Sequence, residues 1–403
     1  MTNLPQGWEV KTLSEIGEIV TGSTPSKSNL DFYGKDYPFF KPSDFEQGYF
    51  LENAGDNLSK LGFGKARQLP PKTILVVCIG SLGKVALTKV IGSCNQQINA
   101  IIPHKNIISE YIYYYCISSK FQSILFSKAP QTTLAILNKT EFSKLEIIYP
   151  KDIKEQERIV GILDFAFSKI DENIKKAKEN LANIDELMQS ALQKAFNPLN
   201  DNTKENYQLP QSWEWKSLGD TSNYGKTSQV KPSQLKGNDW ILELEDIEKE
   251  SGVLLQKVLF QDRQSKSNKI KFNKGDILFG TLRPYLKKVI IADDNGACSS
   301  EIMPFSTGNS ITNHFIYYYL FANFLHDRIS SLTYGARMPR LGTKDGKSLQ
   351  IPLPPLQEQE QIAEHLDFVF EKAKALKELC TKELKDYEEL KQSLLDKAFK
   401  GEL

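Results

Sequence analysis

The sequence is written twice. Leu4-Pro5-Gln6-Gly7-Trp8-Glu9 returns as Leu209-Pro210-Gln211-Ser212-Trp213-Glu214, an offset of 205. Ile112-Tyr113-Tyr114-Tyr115 answers Ile316-Tyr317-Tyr318-Tyr319 at 204, and Glu155-Gln156-Glu157-Arg158-Ile159 answers Glu358-Gln359-Glu360-Gln361-Ile362 at 203. Leu163 to Phe167 then matches Leu366 to Phe370, and Gln189 to Phe196 matches Gln392 to Phe399. Ordered blocks at a nearly constant offset mark a duplication, so whatever one half folds into, the other must fold into as well. The blocks are unevenly alike: the segments at the end of each half match best, and the segments before them share only anchors.

Those well-matched ends read as long helices. Ile159, Leu163, Ala166, Ile170, Ile174, Ala177, Leu181, Ile184 and Met188 recur in steps of three and four, and Ile362, Leu366, Val369 and Ala373 open the same stripe in the second copy. Lys377 and Lys391 interrupt the second stripe, which puts part of it outward or shifts it to Leu376 and Leu390. Asp152 with Glu155, and Pro354-Pro355 before Glu358, mark the starts, while Asn197-Pro198 and Gly401 mark the stops. Each helix of about 40 residues is roughly 60 Å long and cannot bury its stripe alone, so pairing is expected, antiparallel because a whole domain separates the two. The segments ahead of the helices read as β-rich, with short runs such as Thr73 to Val77 and Lys274 to Phe279 between turn residues. Ile107 to Leu125 and His314 to Ile329 read as one apolar helix each, their tyrosines placed in the core rather than stacked on bases. The expected fold class is therefore α+β: two β-rich domains joined by two long antiparallel coiled-coil helices in a pseudo-twofold repeat. The expected bounds are 1–150 for the first domain, 151–200 for its helix, 201–355 for the second domain and 356–403 for its helix.

Charge follows the same division. Lys and Arg outnumber Asp and Glu by 15 to 12 in residues 1–150 and by 20 to 17 in 201–355, whereas acidic residues lead by 9 to 8 in 151–200 and by 12 to 8 in 356–403. A small positive excess on each domain permits polyanion binding without requiring it. Five scattered cysteines without a Cys-x-x-Cys pair argue against a disulfide framework or a zinc site and fit a reducing cytoplasm. No apolar run reaches bilayer length, and the first residues carry neither a basic nor an apolar signal region.

Catalytic motifs are missing. Gly80-Ser81-Leu82-Gly83-Lys84-Val85 is too short for a phosphate loop and has Val85 where Ser or Thr is needed, and Gly62-Phe63-Gly64 lacks a nucleotide-site context. His104, His314, His326 and His365 have no metal-ligand spacing. No Gly-x-Ser-x-Gly elbow occurs, and Asn197-Pro198-Leu199 is a helix stop rather than a base-holding tetrad. This favours a binding module with no catalytic residues, no metal and no cofactor of its own. Its candidate DNA contacts lie on polar loops: Ser81 and Lys84, set against Arg283, Tyr285 and Lys287, and Gln131, Thr132 and Thr133, set against Arg337 and Arg340. Lys27, Lys41 and Lys226 join them. Lys269 and its neighbours Lys266, Lys271 and Lys274 are phosphate-facing or merely solvated, and each loop residue is as readily a solvated side chain as a DNA contact.

Leu-Pro-x-x-Trp-Glu opening each half, the Gly-Asp-Ile-Leu strand with its basic loop, and Pro352-Leu353-Pro354-Pro355-Leu356-Gln357-Glu358-Gln359 running into a helix that ends Lys397-Ala398-Phe399-Lys400-Gly401-Glu402-Leu403 resemble the specificity subunit of Type I restriction–modification systems. The resemblance spans nearly the whole chain. It implies two target-recognition domains, each reading half of a bipartite site on double-stranded DNA, and helices that set the spacing and dock methyltransferase subunits. It also implies partners that carry the chemistry: S-adenosylmethionine in the adenine methyltransferase subunit, ATP and magnesium in a motor–nuclease subunit. The first half departs from the pattern at Lys151-Asp152-Ile153-Lys154, where the second has Pro354-Pro355-Leu356-Gln357. The alternative is a single-chain methyltransferase or nuclease reading DNA with the same domains.

Overall fold

The structure is a computed structural model that describes residues 4–129, 135–201, 207–263 and 265–403. Among the described residues six helices have seven or more residues: α1 (Ser109–Ile117), α2 (Ser119–Lys128), α3 (Ile153–Phe196), α4 (Asn313–Tyr319), α5 (Asn323–Leu332) and α6 (Leu356–Ala398). The chain divides into two compact units, Met1–Lys176 with Glu383–Leu403, and Ala177–Lys382. The division cuts both long helices, so each unit is a domain plus a piece of α3 and a piece of α6.

In the first unit Gly17–Thr21, Ile98–Pro103, Ile74–Val77 and Val85–Thr88 form an antiparallel sheet, with Phe50–Leu51 added in parallel at its edge. Trp8–Thr12 closes the domain against Glu146–Pro150, next to the start of α3. Ile74 to Val77 is buried on both faces, which explains why it reads as a continuous apolar run. Tyr111, Tyr114 and Tyr115 of α1 are core residues, as their helical positions predict. The apolar stretch from Ile107 to Leu125 is two helices rather than one. Ser118 sits between them in extended backbone, its hydroxyl donating to the Tyr115 carbonyl (2.6 Å) and accepting from the Phe121 amide.

The second unit repeats the plan. Val289–Ile291, Ile277–Gly280 and Ile302–Phe305 make its central sheet, and Glu214–Ser217 pairs with Gln350–Leu353 before α6 begins. Here too the expected single helix is broken, into α4 and α5 around Leu320–Ala322.

The repeated blocks acquire a purpose at the helices. Gln156 is fully buried and donates to the Asn106 and Pro150 carbonyls while accepting from the Ile108 amide. Gln359 does the same with Ser310, Pro354 and Thr312. The hydroxyl of Tyr114 donates to Asp164, and that of Tyr318 to Asp367. Each domain thus grips the helix that follows it. It also grips the far end of the other helix: the Ser119 amide donates to Gln392, and the Asn323 amide to Gln189. Phe399 packs edge-on against Tyr111 and Tyr115, and Phe196 against Phe315 and Tyr319.

Within each unit the two helix pieces run antiparallel. In the first, Arg158 donates to the Leu403 carbonyl (2.7 Å) and Lys391 pairs with Asp171 (2.5 Å). In the second, Lys377 pairs with Asp185, Ile184 and Met188 pack with Ala373, and Leu192 and Phe196 share a core with Leu366. The two lysines that interrupt the stripe stay in the seam, 30% and 16% exposed for Lys377 and Lys391, and the expected shift to Leu376 and Leu390 does not occur. Those leucines are each 46% exposed. An aspartate on the facing helix makes a lysine tolerable at a stripe position, and its alkyl stem fills the apolar space: Lys391 lies over the Phe167 ring.

Candidate nucleic-acid interface

In the second unit the turn after Ile277–Gly280 and the hairpin Thr333–Tyr334 with Arg340–Leu341 are held together by backbone hydrogen bonds. The Arg283 amide donates to the Pro339 carbonyl (2.7 Å) and the Leu341 amide to the Thr281 carbonyl (3.0 Å). Gly335, at φ +91°, turns the chain into a five-residue tip with Arg337 at its middle. Arg283, Tyr285 and Arg337 are exposed and Arg340 is half-buried. The three arginines have no side-chain partner among the described residues. Tyr334 and Met338, 60% and 53% exposed on the same hairpin, add flat and apolar surface that sequence reasoning did not single out. Unpaired guanidinium groups beside exposed aromatic rings suit phosphates and guanine edges together with stacking.

The first unit builds the same junction. Its Gly80 amide donates to the Ala135 carbonyl (3.2 Å) and its Leu137 amide to the Cys78 carbonyl (2.9 Å). These bonds set the correspondence between the loops: Cys78 matches Thr281, Gly80 matches Arg283, Gly83 matches Lys287 and Lys84 matches Lys288. All four of Gly80, Gly83, Arg283 and Lys287 are left-handed, at φ +81°, +91°, +50° and +47°. Pairing Gly80 with Gly280 by the glycine alone places that end of the loop three residues out of register. The second unit holds two non-glycine residues where the first has glycines, at a backbone cost of about 1–2 kcal/mol each.

The other candidates fall in varied surroundings. Ser81 is exposed on the first unit's loop. Lys84 is engaged by Glu46, and Lys41 by Asp56 while lying over the Phe39 ring. Lys27 and Lys226 are exposed on turns elsewhere. Lys287 requires correction: it is 6% exposed, and its ammonium donates inward to the Phe321 carbonyl (3.1 Å) and to Asn323. Burial holds its pKa below the usual lysine value. Lys269 is likewise buried, donating to Glu243 at 2.7 Å. Gln131, Thr132 and Thr133 lie outside the described residues.

His/Cys/Asp/Glu groups able to hold a metal are absent among the described residues, where the five cysteines are free. No helix there is long and apolar enough to cross a membrane.

Comparison with known proteins agrees with this duplicated plan. The chain is 39% identical over 176 residues to the HindI specificity subunit of Haemophilus influenzae, covering 42% of this chain and 38% of that protein. It is 29% identical over 226 residues to the MjaIX specificity subunit of Methanocaldococcus jannaschii, covering 54% and 52%. The matched region therefore spans about half or less of those two relatives. With the EcoDI specificity subunit of Escherichia coli the match is 23% over 424 residues, covering 99% of this chain and 89% of that protein. A chain solved as part of a type I R-M system shares the fold over 100% of both chains, with TM-score 0.78 and 19% identity. The HsdS subunit of Thermoanaerobacter tengcongensis gives 0.53 at 20% identity, over 99% of this chain and 98% of that one. The family model for the Type I restriction modification DNA specificity domain matches twice, over residues 5–183 and 210–385, and the chain belongs to that family.

Proposed function

We propose that this chain is the non-catalytic, sequence-specific DNA-binding subunit of a Type I restriction–modification enzyme. In this reading residues 1–150 and 201–355 are recognition domains, each reading half of a bipartite duplex site, and the helices of 151–200 and 356–403 set the spacing and dock methyltransferase subunits. The observation that carries it is one backbone junction, Cys78–Gly80 with Ala135–Leu137 and Thr281–Arg283 with Pro339–Leu341, beside loops that are furnished differently: Ser81 with a Glu46-engaged Lys84 in one, three arginines without a side-chain partner among the described residues in the other. A shared frame with unlike side chains is what two readers of unlike half-sites require. Arg283, Arg337 and Arg340, with Tyr285, Ser81, Lys27 and Lys226, are its candidate contacts. S-adenosylmethionine, ATP and magnesium belong to partner subunits, the last two to a motor–nuclease.

The test is duplex binding by the complex of this chain with its methyltransferase subunits, measured across a salt series. Replacing Arg283 and Arg337 together with alanine weakens binding about tenfold or more. Unchanged affinity would place the interface elsewhere. Methyl transfer to DNA by the purified chain alone, given S-adenosylmethionine, would favour a single-chain enzyme instead.

A further inference from the structure

Lys287 reads in sequence as a DNA contact, and the structure turns it round. Arg283 and Lys287 flank the turn Pro284–Leu286 with nearly the same left-handed backbone, yet the Lys287 side chain is buried against the α4–α5 connection. There the ammonium donates to the Phe321 carbonyl (3.1 Å) and to the Asn323 side chain. The same two residues are held by Gln189 of α3, which donates to the Phe321 carbonyl (3.2 Å) and accepts from the Asn323 amide (3.0 Å). The arginine-bearing turn and the long helix therefore meet on one short stretch of backbone.

The first unit solves the same problem with other atoms. Gly83 stands in place of Lys287, and the tie comes from the helix: Gln122 donates to the Gly83 carbonyl (2.9 Å) and to the Cys116 carbonyl (2.6 Å). A Cβ at Gly83 would collide with the Gln122 amide oxygen, so glycine and glutamine there are one device. The position of Gln122 is taken by His326 in the second unit, whose Nε2 lies 2.6 Å from the Leu320 carbonyl, the match of Cys116. His326 makes no bond to the loop, and its Nδ1 is buried without a partner.

We infer that Lys287 is a positioning residue for base recognition: it fixes the Arg283–Tyr285 turn on the junction that Gln189 holds to α3, as Gln122 fixes the first unit's loop. The inference rests on the reading that this unit recognises one half-site. A phosphate contact and an anchor differ in what their removal does. Losing a phosphate contact lowers the salt slope by about one and weakens all sequences alike. Losing an anchor leaves the slope and blurs base choice on one side only.

The experiment expresses the full chain with its methyltransferase subunits in a host without other adenine methylation. Modified motifs are read by sequencing, and binding of a duplex carrying the wild-type motif is measured across salt. Lys287→Met is expected to lose about tenfold discrimination at one half-site, with the other half-site intact and the salt slope unchanged. Lys287→Gly behaves the same way, and Lys287→Gly with His326→Gln, which installs the first unit's tie, recovers discrimination to within about twofold. Should Lys287→Met unfold the domain, the double variant still decides: recovery supports the anchor, and failure to recover overturns it. A salt slope lowered by about one with both half-sites kept would overturn it too. A wild-type chain that modifies no bipartite motif sinks the functional reading and this assignment together; a wild-type motif that Lys287→Met leaves unchanged sinks the assignment alone.

Discussion

Gln156 and Gln359 show how much one buried amide can hold. Each is fully buried and each satisfies two carbonyls and one amide at the junction of domain and helix. Truncation to alanine orphans all three partners, and an unsatisfied buried polar group costs about 1–3 kcal/mol. Gln156→Ala or Gln359→Ala is expected to lower unfolding stability by roughly 3 kcal/mol, measured by urea titration of the full chain; a loss under about 0.5 kcal/mol would show that water replaces the amide. His326 gives a pH signature. Burial, with Lys287 nearby, pushes its pKa down to about 4 against the backbone bond from Leu320. In the unfolded chain it titrates near 6.5. Between these values the unfolded state takes up a proton that the folded state refuses, so this contribution to stability falls as pH drops from about 6.5 to 4 and no further below. His326→Gln should flatten that window, read from melting temperature against pH, by an amount on the order of 3 kcal/mol at pH 4. An unaltered profile would mean that the imidazole is hydrated in the folded state.

At the scale of elements, the long helices were legible and the candidate contact loops were not. A stripe repeating every 3.6 residues over forty residues has no competing explanation, and Asp152 and Gly401 located the start of α3 and the end of α6 within a few residues. The pairing of Asp171 with Lys391 and Asp185 with Lys377 was hidden because a lysine in a stripe position looks like an interruption until its aspartate is found on another helix. The break after α4 was hidden because Ala322 follows the apolar Leu320-Phe321, where periodicity carries no stop signal, whereas the break after α1 was marked by the capping Ser118 ahead of Ser119-Lys120. Loop charge was the least legible of all: Arg283 and Lys287 are four residues apart in nearly the same left-handed backbone, yet one is exposed and the other is buried on the Phe321 carbonyl and Asn323. Helix register also sets a test of the spacer. Residue numbers at the two ion pairs add to the same total, so deleting seven residues from Lys175–Asn183 alone puts the pairings out of step. Deleting seven from 379–387 as well restores it. The matched deletion is expected to keep both half-sites and shorten the gap between them, read from the modified motif; altered half-sites would contradict a spacer role.

For the whole molecule, duplication with unequal divergence is the informative feature. Each unit takes its domain from one part of the chain and the closing phenylalanine, Phe399 or Phe196, from the helix that ends the other half. The repeated blocks are those that make these joins, which accounts for their likeness; the loops make none of them and were free to differ. On the proposed reading the target is set by a few side chains at each junction, which the shared frame does not dictate. The most direct test is the adenine methylome of a host that expresses this chain with its methyltransferase subunit. A modified motif of two specified, unlike half-sites separated by a fixed run of unspecified bases is the predicted result. An uninterrupted motif, or two half-sites that are copies of each other, would contradict two unlike readers joined by a spacer.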